Sequence, residues 1–178
     1  MAVPEAPLRK TDAGLVPEGD GWFVVNAREA AWKTGDFGAY TRFQGDVSFP
    51  QIGINIGVLD PGQPGCMYHR EENQEDFLVL HGECLLLVEG EERQLRAWDF
   101  VHCPAWTEHV FVGAGDGPCT ILAIGARLGK GLFYPREDVA LRRGAGVEQE
   151  TSSGDEAYAR FAEDVDTPYR KGWLGSDA

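Results

Sequence analysis

The sequence predicts an all-β fold, a double-stranded antiparallel β-barrel wrapped by N-terminal segments and followed by a short C-terminal helix. Three observations carry that expectation. Glycine and proline are abundant, 23 and 10 in 178 residues, and so many turn formers favour brief strands over long helices. Apolar residues alternate with small or polar ones at Ile52, Ile54, Ile56 and Val58, the period of a strand. Short apolar runs then recur between turn signals, the spacing of a barrel or sandwich.

Residues 1–20 are polar, carry Pro and Gly, and are expected to form a loose, flexible N-terminal arm. Residues 21–143 form the expected barrel domain. Its first part, with Trp22, Phe23, Trp32, Tyr40 and Phe43, reads as short strands or segments laid over the barrel. The strand beginning at Ile52 stops at the turn Asp60-Pro61-Gly62. An extended segment follows from Met67 to Glu71. Phe77–Leu80, Cys84–Val88, Trp98–His102, His109–Val112 and Thr120–Ala126 read as further strands. Bends lie at His81–Glu83 and Pro104–Thr107, and a charged hairpin tip at Glu89–Arg93. Residues 144–178 form the expected C-terminal helix and tail. Ser153 and Glu156 have capping-box spacing, with Tyr158, Phe161 and Val165 at roughly helical intervals and a frayed end after Gly172.

Acidic residues outnumber basic ones 29 to 16, a formal net charge of −13. Such a surface repels phosphate backbones and anionic lipid heads, so nucleic acid and membrane are not expected partners. No stretch is apolar enough to cross a bilayer, and the first twenty residues contain no apolar signal core. A cytoplasmic location is expected. Cys66, Cys84, Cys103 and Cys119 are widely spaced and read as reduced thiols in that setting.

Four residues stand out chemically: His69, Glu71, Glu75 and His109. Residues two apart on a strand share a face, so His69 and Glu71 point the same way. Imidazole and carboxylate together suit zinc, iron, manganese or nickel. Spacing alone leaves a second interpretation open, in which Glu71, Glu72 and Glu75 coat a loop.

Residues 52–126 resemble the two conserved stretches of the cupin superfamily. The first family motif, G-x5-H-x-H-x3,4-E-x6-G, is matched by Gly62-QPGCMY-His69-Arg-Glu71-ENQ-Glu75-DFLVLH-Gly82. The second, G-x5-P-x-G-x2-H-x3-N, is matched by Trp98-DFVHC-Pro104-Ala-Trp106-TE-His109-VFV-Gly113. The departures are specific. The leading Gly62 stands one residue further from His69 than the motif has it, Glu71 replaces the family's second histidine, Trp98 and Trp106 replace two glycines, and Gly113 replaces an asparagine.

The resemblance implies a jelly-roll barrel that binds one divalent metal ion through His69, Glu75 and His109. Glu71 becomes a substitute ligand, an acceptor behind the ligands, or a proton-shuttling catalytic group. Asp76 competes with Glu75 for the acidic position on spacing. The implied activity is metal-dependent chemistry on a small molecule, as in dioxygenases, isomerases or lyases. The alternative is a non-catalytic module that binds a metabolite or sugar. A lone barrel also exposes a sheet edge, so a homodimer is expected.

Overall fold

The computed structural model describes residues 2–175. Fourteen strands and two short helices follow one another: β1 (Leu8–Thr11), β2 (Gly14–Pro17), β3 (Trp32–Gly35), β4 (Gly38–Thr41), β5 (Ile52–Leu59), β6 (Arg70–Glu71), β7 (Glu75–His81), β8 (Glu83–Val88), β9 (Glu91–Arg96), β10 (Phe100–Cys103), β11 (His109–Ala114), β12 (Cys119–Ala126), β13 (Leu132–Phe133), α1 (Asp138–Arg142), α2 (Gly154–Tyr158) and β14 (Val165–Thr167). Seven strands form one sheet in the order β10-β7-β12-β5-β4-β3-β14, and three form a second in the order β11-β8-β9. Strand pairing is antiparallel throughout. The fold is therefore all-β, as the turn-rich composition predicts.

The main core lies between these two sheets. Leu59, Phe77, Val79 and Ile121 from the large sheet pack with Cys84, Leu86 and Phe111 from the small one. The small sheet is buried on its other face as well. Leu85, Leu87, Val110 and Val112 lie against Tyr68 and against Ala140 of α1. This double burial explains why Cys84–Val88 is a continuous apolar run rather than an alternating one.

Strand β5 is covered on both sides too. Its isoleucine side does not face the inter-sheet space. Ile56 and Val58 pack with Trp32, Tyr169, Trp173 and Leu174 on the outside, while Asn55, Gly57 and Leu59 face the inside. The alternation marks a strand correctly, but which side is interior depends on the segments that cover it.

Segment 1–20, expected as a loose arm, contains the β1–β2 hairpin, and Ala6 and Ala13 are buried. The C-terminal part differs from expectation in two ways. Ser153 caps α2 by accepting from the Glu156 amide, but the helix ends at Tyr158, and Val165 lies in β14, paired with β3. Instead of fraying beyond Gly172, the chain stays packed: the Trp173 ring lies 5.1 Å from that of fully buried Trp32, and the Thr120 hydroxyl donates to the Trp173 carbonyl. The last three residues of the expected tail, 176–178, lie outside the described residues.

The motif departures have backbone explanations. Gly82 has φ +74, and a Cβ there would lie 2.4 Å from the Pro118 carbonyl oxygen. Gly113 replaces the family asparagine where β11 runs so close to β5 that a Cβ would lie 2.2 Å from the Asp60 carbonyl oxygen. Trp98 and Trp106 keep the left-handed backbone of the glycines they replace, at φ 77 and φ 70. That conformation costs a bulky L-residue roughly 1–2 kcal/mol. Trp98 is 74% exposed and recovers little of this by packing.

Trp98→Gly is therefore expected to stabilise the protein by up to about 1 kcal/mol, after the extra unfolded-state entropy of glycine is subtracted. Trp98→Ala, which keeps a Cβ, gains nothing. Thermal unfolding should separate the two variants by roughly 2–4 °C. Equal midpoints would show that the turn carries no such strain.

Candidate metal centre

The extended segment before β6 runs along the free edge of β11. Residues His69 and His109 lie directly opposite and exchange both backbone hydrogen bonds, His69 N to His109 O at 3.2 Å and His109 N to His69 O at 2.9 Å. Such a pair brings two side chains to the same side of the ladder. The imidazole rings lie 5.0 Å apart, centre to centre.

Each ring is also held from behind. Nδ1 of His69 lies 2.9 Å from the Met67 carbonyl oxygen, and Nδ1 of His109 lies 3.0 Å from that of Thr107. A carbonyl only accepts, so in its neutral form each ring carries its proton on Nδ1 and leaves Nε2 with a free lone pair. Holding one imidazole nitrogen on a backbone carbonyl is how proteins orient metal-ligating histidines.

Both Nε2 atoms point at the carboxylate of Glu75, the first residue of β7, on the opposite sheet. Glu75 Oε2 lies 3.3 Å from His109 Nε2 and 3.8 Å from His69 Nε2. The 3.3 Å approach is not an aligned hydrogen bond, because buried Oε2 has no hydrogen-bond partner. Donors about 2.1 Å from a common ion stand roughly 3.0–3.4 Å apart. The three donor atoms lie within 4.8 Å of one another, and a partnerless buried oxygen between two free imidazole nitrogens fits a divalent cation.

The electrostatics agree. Burial, and then the charge of His109, hold His69 below the ordinary histidine range. Burial alone would lower His109 and raise Glu75. Their contact outweighs it, so the His109 imidazole is raised and the Glu75 carboxyl lowered.

Asp76, the competitor on spacing, belongs to the other face of β7. Its Oδ1 lies 2.6 Å from Nδ1 of His102 on the neighbouring strand β10, and that contact holds its carboxyl low. Glu71 falls outside the three-residue cluster but lines the same cavity. Burial and the nearby Glu75 charge push its carboxyl up to about 7. Glu72 lies elsewhere, accepting from the amides of Lys130 and Gly131.

Cys66 and Cys103 border the centre as thiols. Burial, and then the charge of Glu75, push both up to about 12. Neither Trp98 nor Trp106 lines the cavity, and His81 is exposed near Gly175.

The cavity above the cluster measures about 440 Å³. Phe77 and Phe111 wall it on one side, Leu132, Tyr134 and Tyr158 on another, and Tyr40, Arg42 and Asn55 at the far end. The last three groups were not singled out in the sequence.

Residues 55–125 match the Cupin domain family. The match covers about two-fifths of the chain, the stretch that carries His69, Glu75 and His109. Among solved structures, a predicted oxalate decarboxylase of Thermotoga maritima shares 18% identity over 60% of this chain and 100% of its own, with TM-score 0.52, and shows the same fold. A cupin-superfamily sugar phosphate isomerase of Silicibacter pomeroyi is 22% identical over 77% of this chain and 83% of its own, with TM-score 0.48. A candidate sugar phosphate isomerase of Acidithiobacillus ferrooxidans is 27% identical over 47% of this chain, with TM-score 0.43, and this chain spans about half of that protein, 54%. No curated protein matches the chain. No helix among the described residues is long and apolar enough to cross a membrane.

Tyr158 supports the centre indirectly. Its hydroxyl accepts from the Met67 amide at 3.0 Å, and the Met67 carbonyl is the group that holds His69 Nδ1. Tyr158→Phe leaves that buried amide unpaired, at a cost of about 1–3 kcal/mol. Thermal unfolding of the metal-free protein should fall by several degrees. An unchanged midpoint would show that Tyr158 only fills space.

Proposed function

We propose that this chain is a metal-dependent enzyme that moves a proton on a small molecule, in the manner of an isomerase or lyase. The observation that carries the proposal is the partnerless Glu75 Oε2 faced by two free Nε2 atoms at the floor of a 440 Å³ cavity. His69, Glu75 and His109 would hold one divalent ion. Two imidazoles and one carboxylate suit iron(II), manganese, zinc or nickel. When bound, such an ion supplies Lewis acidity to a substrate oxygen.

The chain's own residues do the rest. Phe77, Phe111 and Leu132 exclude water from the interior of the cavity. Glu71 lies beside the three ligands without joining their cluster, so its carboxylate is available to accept or return a proton from the bound molecule. In this arrangement the replacement of the family's second histidine by Glu71 exchanges a ligand for a proton carrier.

Purified protein is expected to contain one ion per chain by elemental analysis. The double variant His69→Ala/His109→Ala should contain none. Returning metal to chelator-stripped wild type should raise stability by about 2.7 kcal/mol at a hundredfold excess over Kd, and should leave the double variant unmoved. Glu71→Gln should retain the ion while turnover on a panel of carbonyl and hydroxy acids falls by roughly two to four orders of magnitude. Metal retained by the double variant, or no uptake by wild type, would overturn the proposal. Oxygen consumption on the panel would replace proton transfer with a dioxygenase activity.

A further inference from the structure

The far end of the cavity differs in character from the metal end. Tyr40 lies on β4 opposite Gly57 on β5. Continuing that register sets Arg42 beside Asn55. Both side chains line the cavity, Arg42 where it is open to solvent and also borders a second depression, and neither side chain has an ion pair or hydrogen bond with a described residue. Arg42 is not free to wander, because its Cζ sits 4.9 Å from the centre of the Tyr40 ring. The Tyr40 hydroxyl is fixed in turn, donating to Asp164 at 3.0 Å. Gly57 leaves open space where another residue would put a side chain, since nothing lies within 4 Å of a Cβ built there. A stacked guanidinium and a neighbouring amide, both with unused donors, form a fork suited to a planar or tetrahedral oxyanion.

We infer that Arg42, assisted by Asn55, clamps an anionic group of the substrate, so that the molecule taken up is a small organic acid or phosphate with its reacting oxygen at the opposite end. This inference rests on the proposed metal centre for that second end. Size follows from the sheet. Strands β4 and β7 are separated by β5 and β12. Three strand spacings amount to roughly 14 Å of backbone. Side chains reaching inward from both ends leave room for a chain of about three to six carbons.

The test is calorimetric titration of the full chain loaded with cobalt(II). The probes are malonate, succinate, glutarate and adipate, with phosphonoacetate and 3-phosphonopropionate as the phosphate-like arm and succinamide as the neutral control. At least one acid is expected to bind at least about tenfold tighter than succinamide. Arg42→Gln should weaken that acid about tenfold or more, and Arg42→Lys should restore part of the loss. Both variants should keep wild-type cobalt content and visible absorption. The ranking of carboxylates against phosphonates identifies which oxyanion the fork prefers.

The inference is overturned if no acid binds, if succinamide binds as well as the acids, or if Arg42→Gln binds as wild type does. Failure of the metal proposal reads separately. A wild-type chain that takes up no cobalt refutes the metal centre, and the Arg42 dependence is then read with the same acids on the metal-free chain.

Discussion

The two backbone hydrogen bonds between His69 and His109 are the contact on which the rest of the site depends. They make one strand-like segment the neighbour of β11, and so bring together two imidazoles forty residues apart in sequence. Backbone groups set this geometry, so the side chains are left for other work. The Met67 and Thr107 carbonyls then fix the tautomers. Glu75 arrives from the opposite sheet, which means that the distance between donors is set by how the core packs. Phe77 and Phe111 touch across that gap, their rings 4.6 Å apart, and Phe77 also meets the edge of His109 at 5.3 Å. Stability of the core and geometry of the centre are therefore one problem.

A departure from a family motif can mean loss of a site, relocation of strain, or a changed chemistry. All three kinds of question arise here, and the backbone separates them. Gly113 fits because its neighbour is another backbone. Trp98 and Trp106 retain the turn that glycine would make without strain, and the Trp106 amide still donates to the Glu71 carbonyl at 2.7 Å. The loop that delivers His109 thus keeps its course despite the substitution. Glu71 is different in kind, because its side chain alters what the cavity contains rather than how the chain folds.

How much of this was legible follows from sequence distance. His69, Glu75 and His109 could be read because they fall at the ligand positions of the two cupin motifs; spacing alone left Glu75 open to being part of an acidic loop coat. The six-residue interval to Gly82 favours Glu75 over Asp76 in the sequence, and His102 on β10 shows which face Asp76 serves. Arg42, Asn55 and Tyr158 were invisible. Each comes from an element far along the chain, and no local spacing ties it to the histidines. The alternation along β5 does not say whether Asn55 and Gly57 or Ile56 and Val58 face the inter-sheet space. Ile56 and Val58 are covered by Trp32, Tyr169 and Trp173, contributed by both ends of the chain. The helical spacing of Phe161 and Val165 was likewise overridden by pairing of β14 with β3.

The charge of the chain bears on what such a cavity can admit. A net charge of −13 opposes the approach of any anion. Screening limits that opposition to neighbouring groups, since the Debye length is about 8 Å at physiological salt. The acids that matter are therefore those near the cavity. Asp164 is engaged by the Tyr40 hydroxyl, and Glu75 faces the two imidazoles. An ion at the floor would offset Glu75, leaving Arg42 as the local cation at the far end. The ion and Arg42 are then the positive charges of a lining that also holds Glu71, Glu75 and Asp164. Selection for a small anion would come from this separation of charge within the cavity rather than from the overall charge.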